Sequence, residues 1–147
     1  IWKKKTTLLE LTKIEPNEEQ VKILFELLKS RTYSISHNEN PTFEEHREFV
    51  FNNPYRCWFL ASNAAKVIGS IYVQYDNSIG LDIEGNNILY LPDCLKLLKA
   101  RLLPLPAQPS KRRGGYFINV SPKNREVCKA LEDLGSELFQ YSYHKIF

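Results

Sequence analysis

The side chains best suited to chemistry are few and scattered along the chain. His37 lies in a polar stretch, residues 32–41, with Tyr33 four positions before it. A histidine there is either a loop surface residue or a general base that titrates near neutral pH. Asp82 alternates with Gly80 along an apolar run, so its carboxylate faces one side of a strand, solvated or available to take a proton. Asn124 follows Ser121-Pro122-Lys123 and is either a local cap or a ligand contact. His46 falls on the apolar side of a helical pattern and reads as a packing residue, and His144 reads as structural. Cys57, Cys94 and Cys128 are odd in number, far apart and form no C-x-x-C. They read as buried free thiols of a reducing compartment, which makes the expected location cytoplasmic. No metal is expected, because the three His and three Cys lack metal-ligand spacing. Two basic clusters, Lys3-Lys4-Lys5 and Lys111-Arg112-Arg113, are exposed turns or contacts for an anionic partner.

These groups need a scaffold, and the composition supplies one. The chain has 147 residues, 43% hydrophobic, 12% aromatic and 25% charged. That excludes disorder, collagen and coiled coil and fits one domain over residues 1–147. No disulfide or metal is needed to fold at this length. The net charge of +3 is too mild to imply nucleic acid. No apolar run is long enough to span a membrane, and the basic start lacks the apolar stretch of a signal peptide. Methionine is absent.

The elements follow from local signals. Residues 7–14 alternate weakly and predict a strand. Asn17 caps a helix with Glu18 and Glu19 in its first turn and Val21, Leu24, Leu27 and Leu28 on one face. Thr42-Phe43-Glu44-Glu45 has the form of a capping box, and Asn52-Asn53-Pro54 ends that second helix. Residues 57–61, 67–75 and 78–83 predict three strands, with a bulge near Gly69 and a hairpin turn at Asp76-Asn77. A helix over 88–103 starts near Pro92 and is broken by Pro104, Pro106 and Pro109. Residues 116–120 predict a strand. Ser121 and Pro122 start a last helix that Gly135 stops. Residues 137–146 predict a final strand. The order is β-α-α-β-β-β-α-β-α-β, an α/β (α+β) domain with a mixed, mostly antiparallel central sheet.

Three segments in that order resemble the GNAT superfamily of N-acetyltransferases. Phe43-Glu44-Glu45-His46-Arg47-Glu48-Phe49 with Trp58-Phe59-Leu60 resembles the second-helix entry of ribosomal-protein and nucleotide-sugar members. Val67-Ile68-Gly69-Ser70-Ile71 through Ile79-Gly80-Leu81-Asp82-Ile83 resembles the third and fourth strands. Val120-Ser121-Pro122-Lys123-Asn124 through Leu131-Glu132-Asp133-Leu134-Gly135 resembles the strand-to-helix element after the fifth strand. Together they cover nearly the whole chain.

The resemblance implies transfer of an acetyl group from acetyl-CoA, as cosubstrate, to a primary amine of a small molecule or peptide by direct attack. It implies that the fourth and fifth strands splay around the pantetheine arm, with Leu81, Asp82 and Ile83 beside it. Gly85, Asn86 and Asn87 would lie in the pyrophosphate loop and Asn124 near the leaving sulfur. Asp82 and His37 become the candidate bases, with Tyr33 and His37 in the acceptor pocket. A homodimer would be common for such a protein, and a nucleic-acid or membrane partner is not expected. Three departures stand out. The loop carries one glycine and an acidic Glu84, which would oppose phosphate. Leu131 stands where many members have a tyrosine acid, leaving only Tyr141 and Tyr143 on the last predicted strand, and Ser136 replaces the usual Phe. They motivate the alternative of a catalytically inactive GNAT-fold binding module.

Overall fold

A computed structural model describes residues 8–32 and 39–145. Its elements are β1 (Leu9–Lys13), α1 (Glu18–Ser30), α2 (Phe43–Phe51), β2 (Cys57–Asn63), β3 (Lys66–Val73), β4 (Ser78–Asp82), α3 (Leu91–Arg101), β5 (Phe117–Asn119) and α4 (Arg125–Asp133). A 3-10 turn, Gly85–Tyr90, leads from β4 into α3. The α/β class and the mixed sheet are as predicted. The strands lie in chain order, β1 to β4 antiparallel and β4–β5 parallel.

Helix starts come from short polar side chains. Asn17 accepts from the Gln20 amide at 2.9 Å. Thr42 accepts from the Glu45 amide at 3.2 Å, and its hydroxyl donates to the Glu45 carboxylate at 3.1 Å. Both supply an acceptor for amides that have no intrahelical partner. Gly135, at φ +89°, ends α4 as predicted: Ser136 N–H reaches back to the Leu131 carbonyl at 3.0 Å.

The sheet is covered on both faces because strand residues alternate sides. Phe59, Ala61, Ile71, Val73 and Ile79 pack with Leu91, Cys94, Leu98, Val127 and Leu131 of α3 and α4. Leu60 packs on the opposite face with Val21, Leu24 and Val50 of α1 and α2. His46 is buried there against Phe25, a packing residue as the sequence indicates, and burial lowers its pKa. The bulge falls at Gly69: Ala61 faces Gly69 while Ser62 faces Val67, so Ile68 is the extra residue. Cβ on Gly69 would lie 2.2 Å from the Asp82 carbonyl oxygen, so only glycine lets β3 run this close to the end of β4.

Three boundaries differ from the sequence reading. α3 begins at Leu91, because the preceding residues wind as a 3-10 turn. α4 begins at Arg125, and its cap is Asn124, not Ser121. The predicted last strand does not form over 137–145, the part of it that is described. That stretch alternates suitably, yet it lies off the three-residue β5 without a ladder, leaving Tyr141 and Tyr143 74% and 85% exposed. Alternation alone cannot create a partner strand.

Candidate active site

β4 and β5 pair only over Ser78–Phe117, Ile79–Ile118 and Gly80–Asn119. The ladder stops there. Among the described residues, no strand lies beside Leu81 and Asp82 on the β5 side, so their backbone edge there is open. Ile83 follows with its side chain sealed in the core, 1% exposed. The resemblance implies an opening between its fourth and fifth strands, and the ladder ends where that opening would begin.

Asp82 sits at the end of this opening. It pairs with Ser70 and follows Gly80, which pairs with Tyr72, so Tyr72, Gly80 and Asp82 occupy one face of the sheet. The Tyr72 ring lies flat across Gly80: a Cβ there would be 1.9 Å from Tyr72 Cζ. On its other side the ring stacks on Tyr55 at 4.1 Å between centroids and 6° between planes. Tyr55 in turn meets Trp58 and Phe49 edge-on at 5.0 and 5.6 Å. An aromatic wall therefore stands beside a half-buried carboxylate. Burial pushes the Asp82 carboxyl up to about 6; the Arg31 guanidinium opposes that shift and the Glu84 carboxylate adds to it. Burial also raises both tyrosine hydroxyls, so they stay protonated across the physiological range. A carboxylate tuned to this range beside an opening is equipped to take a proton.

Gly80 is expected to be intolerant of any side chain. Gly80→Ala must evict Tyr72 from its stack. A urea titration is expected to show a loss of about 1–3 kcal/mol, as for other overpacked sites, with the Trp58 fluorescence altered in the folded state. An unchanged midpoint and spectrum would contradict the packing described.

The loop after β4 is organised differently from the expectation. Both Glu84 carboxylate oxygens accept from Thr32 N–H, at 3.1 and 2.9 Å. This carboxylate ties the segment after α1 to the end of β4. Gly85 adopts φ +60° with open space about its Cα. Gly85 and Asn86 precede the first hydrogen bond inside the turn, from Asn87 N–H to the Glu84 carbonyl at 3.2 Å. Their amides therefore lie ahead of the turn's own hydrogen bonding. The Asn87 side chain points back and donates to the Ile68 carbonyl at 3.3 Å, so its role here is to fasten the loop to β3.

Asn124 accepts from Val127 N–H at 3.4 Å as the cap of α4, which is the local role the sequence left open. Leu131 faces the core at 8% exposure, so its position holds no acid. Tyr33, His37 and the basic Lys3-Lys4-Lys5 cluster lie outside the described residues. No cluster of metal-ligating side chains occurs among the described residues. Cys57 and Cys94 are buried free thiols, and burial pushes Cys94 up to about 11. Of the second basic cluster, Arg112 is structural, donating to the Pro106 carbonyl at 2.8 Å and the Tyr75 carbonyl at 3.3 Å. The Tyr55–Tyr72 wall and Arg31 were missed in the sequence. A tyrosine facing a glycine becomes visible only once the β3–β4 register is known.

No known family profile matches the chain, and no curated protein matches its sequence. Solved structures do match. A domain from Methanocaldococcus jannaschii superposes with a TM-score of 0.62 at 14% identity, covering 92% of both chains. The N-acetyltransferase PseH of Campylobacter jejuni, in complex with acetyl coenzyme A, gives 0.56 at 16% identity over 92% of both chains. The spermidine/spermine N-acetyltransferase SpeG of Vibrio cholerae gives 0.54 at 15% identity, over 87% of this chain and 78% of that one. The fold is thus the one that GNAT N-acetyltransferases share, as the three sequence segments suggest. Fold likeness at this identity does not by itself carry an activity.

Proposed function

We propose that the chain transfers an acetyl group from acetyl-CoA to a primary amine, with Asp82 as the base. The observation that carries this reading is the position of a carboxylate raised to about 6 at the point where β4 and β5 part. The residues present fit acetyl-CoA: the free edge at Leu81 and Asp82 suits an extended amide-bearing arm, and the Gly85 and Asn86 amides suit a phosphate. When bound, acetyl-CoA supplies an acyl carbon activated as a thioester.

The chain's own residues do the rest. Asp82 takes a proton from the acceptor ammonium and leaves a nucleophilic amine. That nitrogen bonds to the carbonyl carbon as the carbon–sulfur bond breaks, and the second proton it sheds on becoming the amide passes through water to the departing thiolate, which leaves as the thiol. Backbone amides at the open edge of β4 stabilise the developing oxyanion. Tyr72, backed by Tyr55, stands on the same face as Asp82, and burial keeps that carboxyl's pKa high. The acceptor loop residues Tyr33 and His37 remain part of this proposal, with His37 as a second base and both near the amine. No helix among the described residues is long and apolar enough to cross a membrane. A cytoplasmic location belongs to the same reading, since Cys57 and Cys94 suit a reducing compartment.

Calorimetric titration with acetyl-CoA tests the binding step. Saturable one-to-one binding at micromolar to submillimolar concentration is expected. No heat or thermal shift up to millimolar acetyl-CoA would overturn the enzymatic reading. Binding without amine-dependent turnover would favour the inactive binding module.

A further inference from the structure

Proton transfer at Asp82 leaves a nearby cation without a task. α1 ends at Ser30, and Arg31 caps it in an extended conformation, its N–H reaching the Leu28 carbonyl at 3.3 Å. The next amide, Thr32, is clasped by the Glu84 carboxylate. This tether holds Arg31 at the end of β4, two residues along from Asp82. Arg31 is half-buried. Among the described residues its guanidinium makes no hydrogen bond and no ion pair. Its field nevertheless reaches Tyr55, Tyr72 and Asp82, the three groups that line the candidate acceptor side of the opening. Glu84 is occupied by its tether, and Asp82 is needed for the proton. A guanidinium so placed is matched by a planar anion of the ligand, which it can hold with two parallel hydrogen bonds.

Resting on the acetyltransferase reading, we propose that the acceptor is a small primary amine that also bears a carboxylate. Arg31 holds the carboxylate, Asp82 receives the amino group, and the Tyr55–Tyr72 wall covers the apolar part between them. The same guanidinium repels a polycation, so a polyamine of the kind named for the Vibrio cholerae neighbour is disfavoured here.

The test measures thiol release from acetyl-CoA with the whole chain and four amine probes: L-glutamate and related amino acids, 2-phosphoethanolamine, ethanolamine and spermidine. The expected result is a kcat/KM for a carboxylate-bearing amine about 10- to 100-fold above that for ethanolamine, with Arg31→Gln collapsing that ratio and Arg31→Lys restoring part of it. The phosphate-bearing probe is expected to fall below the carboxylate. Three outcomes overturn the proposal while leaving acetyl transfer standing: ethanolamine or spermidine turned over at least as well as any amino acid, 2-phosphoethanolamine preferred, or Arg31→Gln lowering all amines equally. Saturable acetyl-CoA binding with no thiol release from any amine overturns the acetyltransferase reading and this one together.

Discussion

Asp82→Asn is expected to lower kcat/KM for amine acetylation by about 10²- to 10⁴-fold, the usual contribution of a positioned general base. Binding of acetyl-CoA should be nearly unchanged, because the proposed contacts at Leu81 and Asp82 would be made by backbone, which the substitution leaves in place. The wild-type profile carries a signature of the same group. The Asp82 carboxyl is pushed up to about 6, so kcat/KM is expected to rise with pH through that value and to fall below it as the base is protonated. The charged groups acting on this carboxyl are Arg31, which lowers its pKa, and Glu84, which raises it, with Tyr72 beside it neutral. In Asp82→Asn that limb should vanish along with the rate.

Stability should move the other way. A carboxyl raised from 3.8 binds a proton more tightly folded than unfolded. Its contribution therefore favours the folded state at low pH, is lost as pH rises from about 4 to about 6, and stays lost above that. Removing the charge relieves that loss, so Asp82→Asn should be at least as stable as wild type at pH 8. A variant that is inactive and also strongly destabilised would mean that Asp82 serves the fold and not the reaction.

Asn77→Ala is expected to cost as much stability as truncating a large core side chain. Asn77 is fully buried at the turn between β3 and β4, at φ +71°. Its side-chain amide donates to the Leu105 and Arg113 carbonyls, each at 2.8 Å, and accepts from Leu105 N–H at 2.8 Å. Its own carbonyl accepts from Phe117 N–H at 3.2 Å. One side chain thus clamps the connection from α3 to β5 and sets where β5 meets β4. Alanine leaves three backbone groups without partners and is strained at positive φ. At about 1 kcal/mol or more for each of these, the loss is about 3–5 kcal/mol. That is a large part of a typical domain's stability and corresponds to a fall of about 10–16 °C in Tm. The urea midpoint measures it. Asn77→Gly keeps the turn conformation and should recover only the strain; a full recovery would show that the hydrogen bonds contribute nothing.

These two residues also show what the sequence could and could not reveal. The hairpin turn at Asp76-Asn77 was legible because turn chemistry is local. The clamp was not, because its partners lie 28 and 36 residues away. The caps at Asn17 and Thr42 and the stop at Gly135 were legible for the same local reason. Asp82 was legible as a residue on the Gly80 face of a strand. The aromatic wall beside it depends on the β3–β4 register, which periodicity alone does not supply. The tether made by Glu84 was hidden in the same way: its partner, the Thr32 amide, stands 52 residues earlier. The last predicted strand failed for a related reason, since residues 137–145 alternate but find no partner edge.

Acetyl transfer through Asp82 is tested by amine-dependent thiol release from acetyl-CoA, followed between pH 5 and 9 for wild type and Asp82→Asn. With Asp82 as the base, release should require the amine, rise with pH through about 6 in the wild type, and be lost in the variant while acetyl-CoA still binds. Release that is absent with every amine, or that persists unchanged in Asp82→Asn, would contradict it.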